Sequence, residues 1–231
     1  MKTIGLIGGM SWESTVTYYQ LINRTISKQL GGFHSAKCLL YSVDFDEIEK
    51  CQASGEWEKS GAILSDAAIR LEKAGADFII ICTNTMHKVA SQIQSNISIP
   101  IIHIADATAD ELVTLDIRKV ALLGTKYTMT QDFYKSKLIE RGIEVLIPKE
   151  KDIEVVNSVI YSELCLGIVS EKSKMELVRI INELSQEAAM GAILGCTEIG
   201  LLIKQEDINI PLFDTTVIHA KKAALLSIEE V

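Results

Sequence analysis

Phe78-Ile79-Ile80-Ile81-Cys82-Thr83-Asn84-Thr85 is the stretch from which the fold is read. An unbroken apolar run with no polar alternation marks a strand covered on both faces, as in a parallel sheet. The run stops at small hydroxyl and thiol residues that open a helix-like segment. The same sentence recurs as Ala192-Ile193-Leu194-Gly195-Cys196-Thr197-Glu198. Two such ends facing each other make a cleft with a proton-handling side chain on each wall.

The repetition has further anchors. Ile4-Gly5-Leu6-Ile7-Gly8 resembles Val120-Ala121-Leu122-Leu123-Gly124, with Gly8 and Gly124 116 residues apart. Thr83 and Cys196 are 113 apart, and Pro100 and Pro211, each in an Ile-Pro pair, 111 apart. Ordered anchors at near-constant spacing indicate two related halves of ordinary domain size. The bland alternative, that any α/β chain repeats apolar strands, does not account for the shared small-residue endings and Ile-Pro pairs.

Composition permits two lobes. The chain has 231 residues, 48% hydrophobic and 23% charged, the balance of a water-soluble globular protein. A formal net charge of −8 argues against a nucleic-acid partner. No apolar stretch reaches the roughly 18 residues that span a bilayer, so no membrane partner is expected. The chain enters a strand at once, without a signal-peptide pattern. Its five cysteines are scattered, without Cys-x-x-Cys or metal-site spacing. Reduced thiols, no metal and a cytoplasmic location follow as expectations.

Strands alternate with amphipathic helices along the chain, which implies parallel sheets flanked by helices. The expected architecture is α/β, in two pseudo-symmetric lobes. Residues 1–97 with a C-terminal helix over 214–231 form one, and residues 98–213 the other. Ligands in such sheets bind beyond the carboxyl ends of the strands, which places the site in the cleft between the lobes. Ile99 to His103 reads as a strand. Asp44 to Trp57 reads as a charged, irregular connection, and Trp57 with its glutamates as a mobile flap or an oligomer contact.

Cys196 follows a strand and precedes a helix-like segment. A thiol at a helix N-terminus meets unpaired N–H groups and the positive end of the dipole. Its pKa then falls from about 8.5 to about 7 or below, and the thiolate serves as a base at neutral pH. The alternative is a small buried residue at a tight turn. In the first half, matching the repeats sets Thr83 opposite Cys196, and strand alternation then sends Cys82 into the core. A hydroxyl is the weaker acid and the worse base, so the pair is lopsided.

The markers Ile4-Gly5-Leu6-Ile7-Gly8-Gly9-Met10, Asn84-Thr85-Met86-His87 and Gly195-Cys196-Thr197-Glu198 resemble the aspartate/glutamate racemases. That superfamily also holds hydantoin racemases and maleate isomerases, and the resemblance covers essentially the whole chain. The family's first motif reads Cys-Asn-Thr-x-His. Here Thr83 stands in the cysteine position, as in the bacterial L-aspartate/glutamate-specific branch, which Ser11-Trp12-Glu13-Ser14 after Met10 also resembles.

The resemblance implies a cofactor-independent isomerase that racemises L-aspartate or L-glutamate, with no pyridoxal phosphate, and a homodimer. It implies Thr83 and Cys196 as the opposed acid/base pair. Asn84, Thr85, Thr197 and Glu198 would hold the α-carboxylate and amino group, and Met10 and Gln52 would line the far side. A cationic residue after the second strand and a later lysine anchor the side-chain carboxylate in many members. Here the first region is acidic (Asp44, Asp46, Glu47) and Cys165 stands near the lysine position, which leaves part of that task to Gln52.

Other residues read more plainly. His87 either faces the cleft or is satisfied by a neighbouring carbonyl. His103 and His219 receive no role, and Asp214 reads as the N-cap of the last helix. Gly5, Gly8 and Gly9 do not spell a dinucleotide fingerprint. A maleate-type isomerase, a hydantoin racemase or a non-catalytic amino-acid-binding protein are the competing readings.

Overall fold

The computed structural model describes residues 1–229, so the last two positions of the helix expected over 214–231 lie outside them. The chain divides into two compact units. The first is Met1–Ile104 together with the chain from His219 onward, and the second is Ala105–Ile218.

In the first unit β1 (Ile4–Gly8) leads to α1 (Trp12–Leu30), β2 (Cys38–Ser42), α2 (Phe45–Ser54), α3 (Trp57–Lys73) and β3 (Phe78–Ile81). A 3-10 turn (Thr85–Val89) and α4 (Ala90–Gln94) follow, and α5 (Ile104–Thr114) leaves the unit. All strands are parallel, in the order β2-β1-β3, and a single bridge pairs Ile79 with Ile101. The segment Ile99 to His103 is therefore a one-bridge edge rather than the strand its apolar run suggests.

The second unit runs β4 (Lys119–Gly124), α6 (Lys126–Thr130), α7 (Asp132–Ile139), β5 (Glu144–Leu146) and α8 (Glu150–Ser162). Then come a 3-10 turn (Leu164–Leu166), α9 (Glu171–Gln186), β6 (Gly191–Gly195), α10 (Ile199–Leu202), a 3-10 turn (Gln205–Asp207) and β7 (Leu212–Asp214). Helix α11 (Thr215–Ile228) begins here and ends in the first unit. The sheet is again all parallel, ordered β5-β4-β6-β7. Each sheet thus has the same order, with the Ile101 bridge standing where β7 stands.

Alternation along the central strands explains why they are apolar throughout. Ile79 and Ile81 pack with Ile7, Leu64 and Met86 on one face of the first sheet. Phe78, Ile80 and Cys82 pack with Ile4, Leu6, Tyr18 and Ile22 on the other. The side of α1 that covers this second face is Tyr18, Ile22 and Ile26, at four-residue spacing, with Ser11 as N-cap. In the second unit Ala192, Leu194 and Cys196 share a face with Ala121 and Leu123 beneath α8 and α9.

Two stretches read from the sequence as irregular are ordered by local rules. Asp44 caps α2, accepting from the Asp46 amide at 3.2 Å, and Gly55 in the left-handed region ends it. Asp46 and Lys50, one turn apart, pair at 2.6 Å. Trp57 opens α3 and packs, half-buried, against the core that holds Ile7 and Met86, with Lys88 Nζ 3.8 Å above its ring.

A glutamine clamp is repeated in both units. The Gln94 amide donates to the Ile99 carbonyl at 3.0 Å and accepts from the Ile101 amide at 2.8 Å. The Gln205 amide does the same to the Ile210 carbonyl at 3.0 Å and the Leu212 amide at 2.9 Å. The two glutamines lie 111 residues apart, as the prolines do. Each satisfies main-chain groups that Pro100 and Pro211 leave outside the ladder. Gln94 is the more buried, so Gln94→Ala is expected to cost about 1–2 kcal/mol and Gln205→Ala less. Urea unfolding of the two variants checks this ranking; equal or negligible losses would show that the clamps are incidental.

Candidate active site

The sequence-selected residues of the first unit gather at the carboxyl ends of β1 and β3. Gly9 has φ +92 and lies where a Cβ would strike the Val43 backbone, so a side chain there would part the β1 and β2 loops. The Gly9 amide donates to Thr15 Oγ1 at 2.9 Å, and Thr15 Oγ1 donates to the Ser11 carbonyl at 2.9 Å. Met10 is buried between these anchors and packs in the cluster that holds Met86. Gln52, buried on α2, donates from Nε2 to Met86 Sδ at 3.0 Å. Asn84 and Thr85 are buried directly after Thr83.

Thr83 itself is half-buried. Its amide donates to the Ile81 carbonyl at 2.8 Å, and its carbonyl accepts from His87 Nδ1 at 2.8 Å. Cys82 is fully buried among Tyr18, Ile22 and Ala220, and burial pushes its thiol pKa up. It is a core residue, as alternation requires once Thr83 points the other way.

In the second unit Cys196, Thr197 and Glu198 follow β6. Strands β4 and β6 approach closely at their ends: a Cβ on Gly124 would sit 2.7 Å from the Gly195 carbonyl oxygen. Cys196 Sγ donates to Glu198 Oε2 at 3.0 Å, and Thr197 Oγ1 donates to the same oxygen at 2.6 Å. One carboxylate oxygen thus collects two donors. Asp214, at the end of β7, caps α11 through the Thr216 amide at 2.8 Å, and its other oxygen lies against Gly200.

The expectation of an acidified thiol is overturned. The Cys196 pKa is held well above its ordinary value, first by burial, then by the Glu198 carboxylate and the neighbouring Cys165. Helix α10 has only four residues, too short to supply the aligned dipoles that the sequence reading assigned to it. At rest the thiol keeps its proton and points it at Glu198.

Two features of the site escaped the sequence. Glu198 was read only as a substrate-binding group, because nothing in Gly-Cys-Thr-Glu shows that the carboxylate folds back onto the thiol two residues earlier. The second feature is a histidine cluster in the first unit. The His87 ring lies 4.5 Å from that of His103 and 5.7 Å from that of His219. His219 bonds Tyr18 Oη through Nδ1 at 2.9 Å and the Ile102 carbonyl through Nε2 at 2.8 Å. The four-residue step from Thr83 to His87 was the one available signal, and of its two readings the carbonyl contact is present.

The acidic region after β2 opens on a cavity of about 480 Å³, lined in part by Tyr41, Ser42, Asp44, Glu47 and Asp66. Asp66 is paired with Arg70 at 2.7 Å and Asp44 is the α2 cap. These charges serve the helices, and the lining has the wrong sign to attract a carboxylate.

Burial drives the His219 imidazole pKa down to about 4. An unfolded histidine titrates near 6.5, so the unfolded chain takes up a proton that the fold refuses. Stability from this group is complete above about pH 6.5 and is lost as pH falls toward 4, by roughly 3 kcal/mol. Urea midpoints at pH 7, 5.5 and 4.5 are expected to fall in that order, and less steeply for His219→Phe. For the thiol, Glu198→Gln removes a carboxylate that raises the pKa. The pH midpoint of Cys196 alkylation by iodoacetamide is expected to move down; an unmoved or higher midpoint would show that Glu198 does not hold the thiol.

Residues 7–223 match the family profile described as Asp/Glu/Hydantoin racemase. Among solved structures, a Yersinia pestis protein assigned as an Asp/Glu racemase is 53% identical, with a TM-score of 0.93 over 99% of this chain and 100% of that one. An aspartate racemase homologue from Pyrococcus horikoshii OT3 is 40% identical, with a TM-score of 0.84 over 99% of this chain and 100% of that one. The broad specificity amino-acid racemase RacX of Bacillus subtilis (strain 168) is 26% identical over 94% of this chain and 95% of its own. The chain belongs to the Asp/Glu/hydantoin racemase family, and with it to the amino-acid racemases among the isomerases.

Proposed function

We propose that this racemase acts without a cofactor on L-aspartate and L-glutamate, with Cys196 and Thr83 working on opposite faces of the α-carbon. The observation that carries the reading is the thiol's hydrogen bond to Glu198 at 3.0 Å, at the strand end equivalent to that of Thr83. Glu198 accepts the thiol proton as substrate enters and releases it to solvent as the cycle closes, and the thiolate removes the α-proton of the L-enantiomer. Charge develops on the substrate carboxylate, where Asn84, Thr85 and Thr197 supply donors. Thr83 returns a proton to the other face, and its oxygen recovers one from solvent. Met10 and Gln52 line the remaining side.

A threonine–cysteine pair makes the two directions chemically unlike. The equilibrium constant between enantiomers is one, so kcat/KM must be equal for both. The asymmetry therefore appears in kcat and KM separately: a hydroxyl is an adequate acid toward a carbanion and a poor base toward an α-proton. The L-enantiomer has the higher kcat.

A broader substrate range is the second reading. The acidic lining after β2 and a cysteine rather than a lysine at position 165 offer no positive charge to a side-chain carboxylate there, and the RacX relative has broad specificity by name. Homodimer assembly, which rests on the family resemblance, and a cytoplasmic location, which rests on the scattered cysteines, belong to the same proposal. The exposed Trp12, Val16 and Tyr19 on one side of α1 offer surface for a second subunit.

Chiral chromatography of an L-amino-acid panel, with protein stripped of pyridoxal phosphate, tests the reading. Conversion of L-aspartate or L-glutamate is expected, lost at least about a hundredfold in Cys196→Ser. Thr83→Cys is expected to raise kcat for the D-enantiomers. Conversion confined to apolar or basic amino acids would overturn the substrate assignment, and full activity in Cys196→Ser would overturn the mechanism.

A further inference from the structure

Thr83 ends in a hydroxyl, and a hydroxyl that must deliver a proton to one face of a carbon needs a fixed bond from which to rotate. The structure supplies that fixture through His87. Its Nε2 faces the Ile104 amide at 3.2 Å, and an N–H can only donate. Nε2 is therefore the acceptor, and the proton sits on Nδ1, which donates to the Thr83 carbonyl at 2.8 Å. With the Thr83 amide bonded to the Ile81 carbonyl at 2.8 Å, both peptide groups of Thr83 are tied down.

The imidazole doing this is itself held. His87 is buried, with His103 on one edge and His219 on another. His219 is the opposite tautomer by the same reasoning: Nε2 faces the Ile102 carbonyl and must donate, so Nδ1 accepts from Tyr18 Oη. Tyr18 and His219 are fully buried. The stack spans α1, the loop after β3, the edge before α5, and α11, all within the first unit. Burial and the two neighbouring rings keep His87 neutral. Two buried imidazoles with a half-buried third against them are a costly way to cap one loop, since a single amide or an apolar residue would close it.

We propose that His87 is a positioning residue for the racemisation: its Nδ1–H fixes the Thr83 backbone, and thereby the direction from which the Thr83 hydroxyl meets the α-carbon. The inference rests on the reading of Thr83 as the proton donor. It assigns His87 no contact with substrate and no proton transfer of its own.

The two bonds of His87 can be separated by substitution. Asn places an amide N–H near Nδ1 and loses the Nε2 acceptor. Gln reaches the Nε2 position and loses the donor to Thr83. In D₂O, deuterium appearing in the remaining L-substrate reports the Cys196 side, and D-enantiomer formed reports delivery from Thr83. For His87→Gln the ratio of inversion to exchange is expected to fall about tenfold or more, whereas His87→Asn keeps it within about threefold. An unchanged ratio in His87→Gln, or equal loss of exchange and inversion in both variants, overturns the proposal and leaves a structural role alone. Nitrogen-15 shifts of the unmodified protein add a readout free of folding defects: His87 is expected as the Nδ1–H tautomer, and an Nε2–H signal overturns the assignment. If the unmodified enzyme neither exchanges nor inverts any amino acid, the racemase reading fails, and the His87 assignment falls with it. An active enzyme with an unmoved ratio sinks only the latter.

Discussion

Parallel pairing of β1 with β3 and of β4 with β6 is the constraint from which the site follows. Parallel strands need crossovers, the crossovers place helices on both faces, and both faces must then be apolar. Polar groups can leave the sheet only at its ends. Ile81 and Gly195 are the last strand residues before the change, and Thr83 and Cys196 stand just past it. The tight ladder between Gly124 and Gly195, where even a methyl would meet a carbonyl oxygen at 2.7 Å, brings the loop after β4 up against the loop that carries the thiol.

The two strand ends handle buried ionisable groups in opposite ways. Around Thr83 burial keeps His87 and His219 neutral, and each of their ring nitrogens has a partner of the right polarity. Around Cys196 a carboxylate is retained, compensated by the Cys196 thiol and the Thr197 hydroxyl on one oxygen. The first arrangement suits a scaffold, because a fully satisfied neutral network rigidifies without a pH-dependent charge in the working range. The second keeps the thiol protonated at rest, since burial and the Glu198 charge both raise its pKa.

The fold was legible because it depends on spacing, and the family because the chain resembles it at Asn84-Thr85-Met86-His87 and Gly195-Cys196-Thr197-Glu198. The apolar runs Phe78 to Cys82 and Ala192 to Gly195 and the Ile-Pro pairs announce parallel strands at fixed separation, and once Thr83 is matched to Cys196 parity sends Cys82 inward. What was hidden depends on three-dimensional closure. Asp44 to Trp57 looked irregular because its charges dominate the eye, yet Asp44, the Asp46–Lys50 pair and Gly55 are ordinary helix signals. The thiol's pKa was misjudged because a strand-to-helix junction gives no hint of helix length, and four residues carry little dipole. His103 and His219 were passed over because 116 residues separate two rings that both stand next to His87.

The repeated glutamine clamp separates scaffold from chemistry. Gln94 and Gln205 hold equivalent Ile-Pro loops by equivalent main-chain bonds, and the sheets share one strand order. What the halves do not share is concentrated where the strands end: Thr83 against Cys196, His87 against Gly200 in the short α10, Thr85 against Glu198. A scaffold kept on both sides and side chains changed on one is the pattern expected if the backbone sets where a substrate can sit while each strand end is free to specialise. A symmetric pair of thiols would bind and release protons alike on either face. If Thr83 and Cys196 are the pair proposed above, that symmetry is given up, and because the overall equilibrium cannot move, only the division of binding and turnover between the enantiomers changes. On the proposed mechanism, the weaker the proton donor, the more its placement must supply, and the imidazole cluster stands on the threonine side.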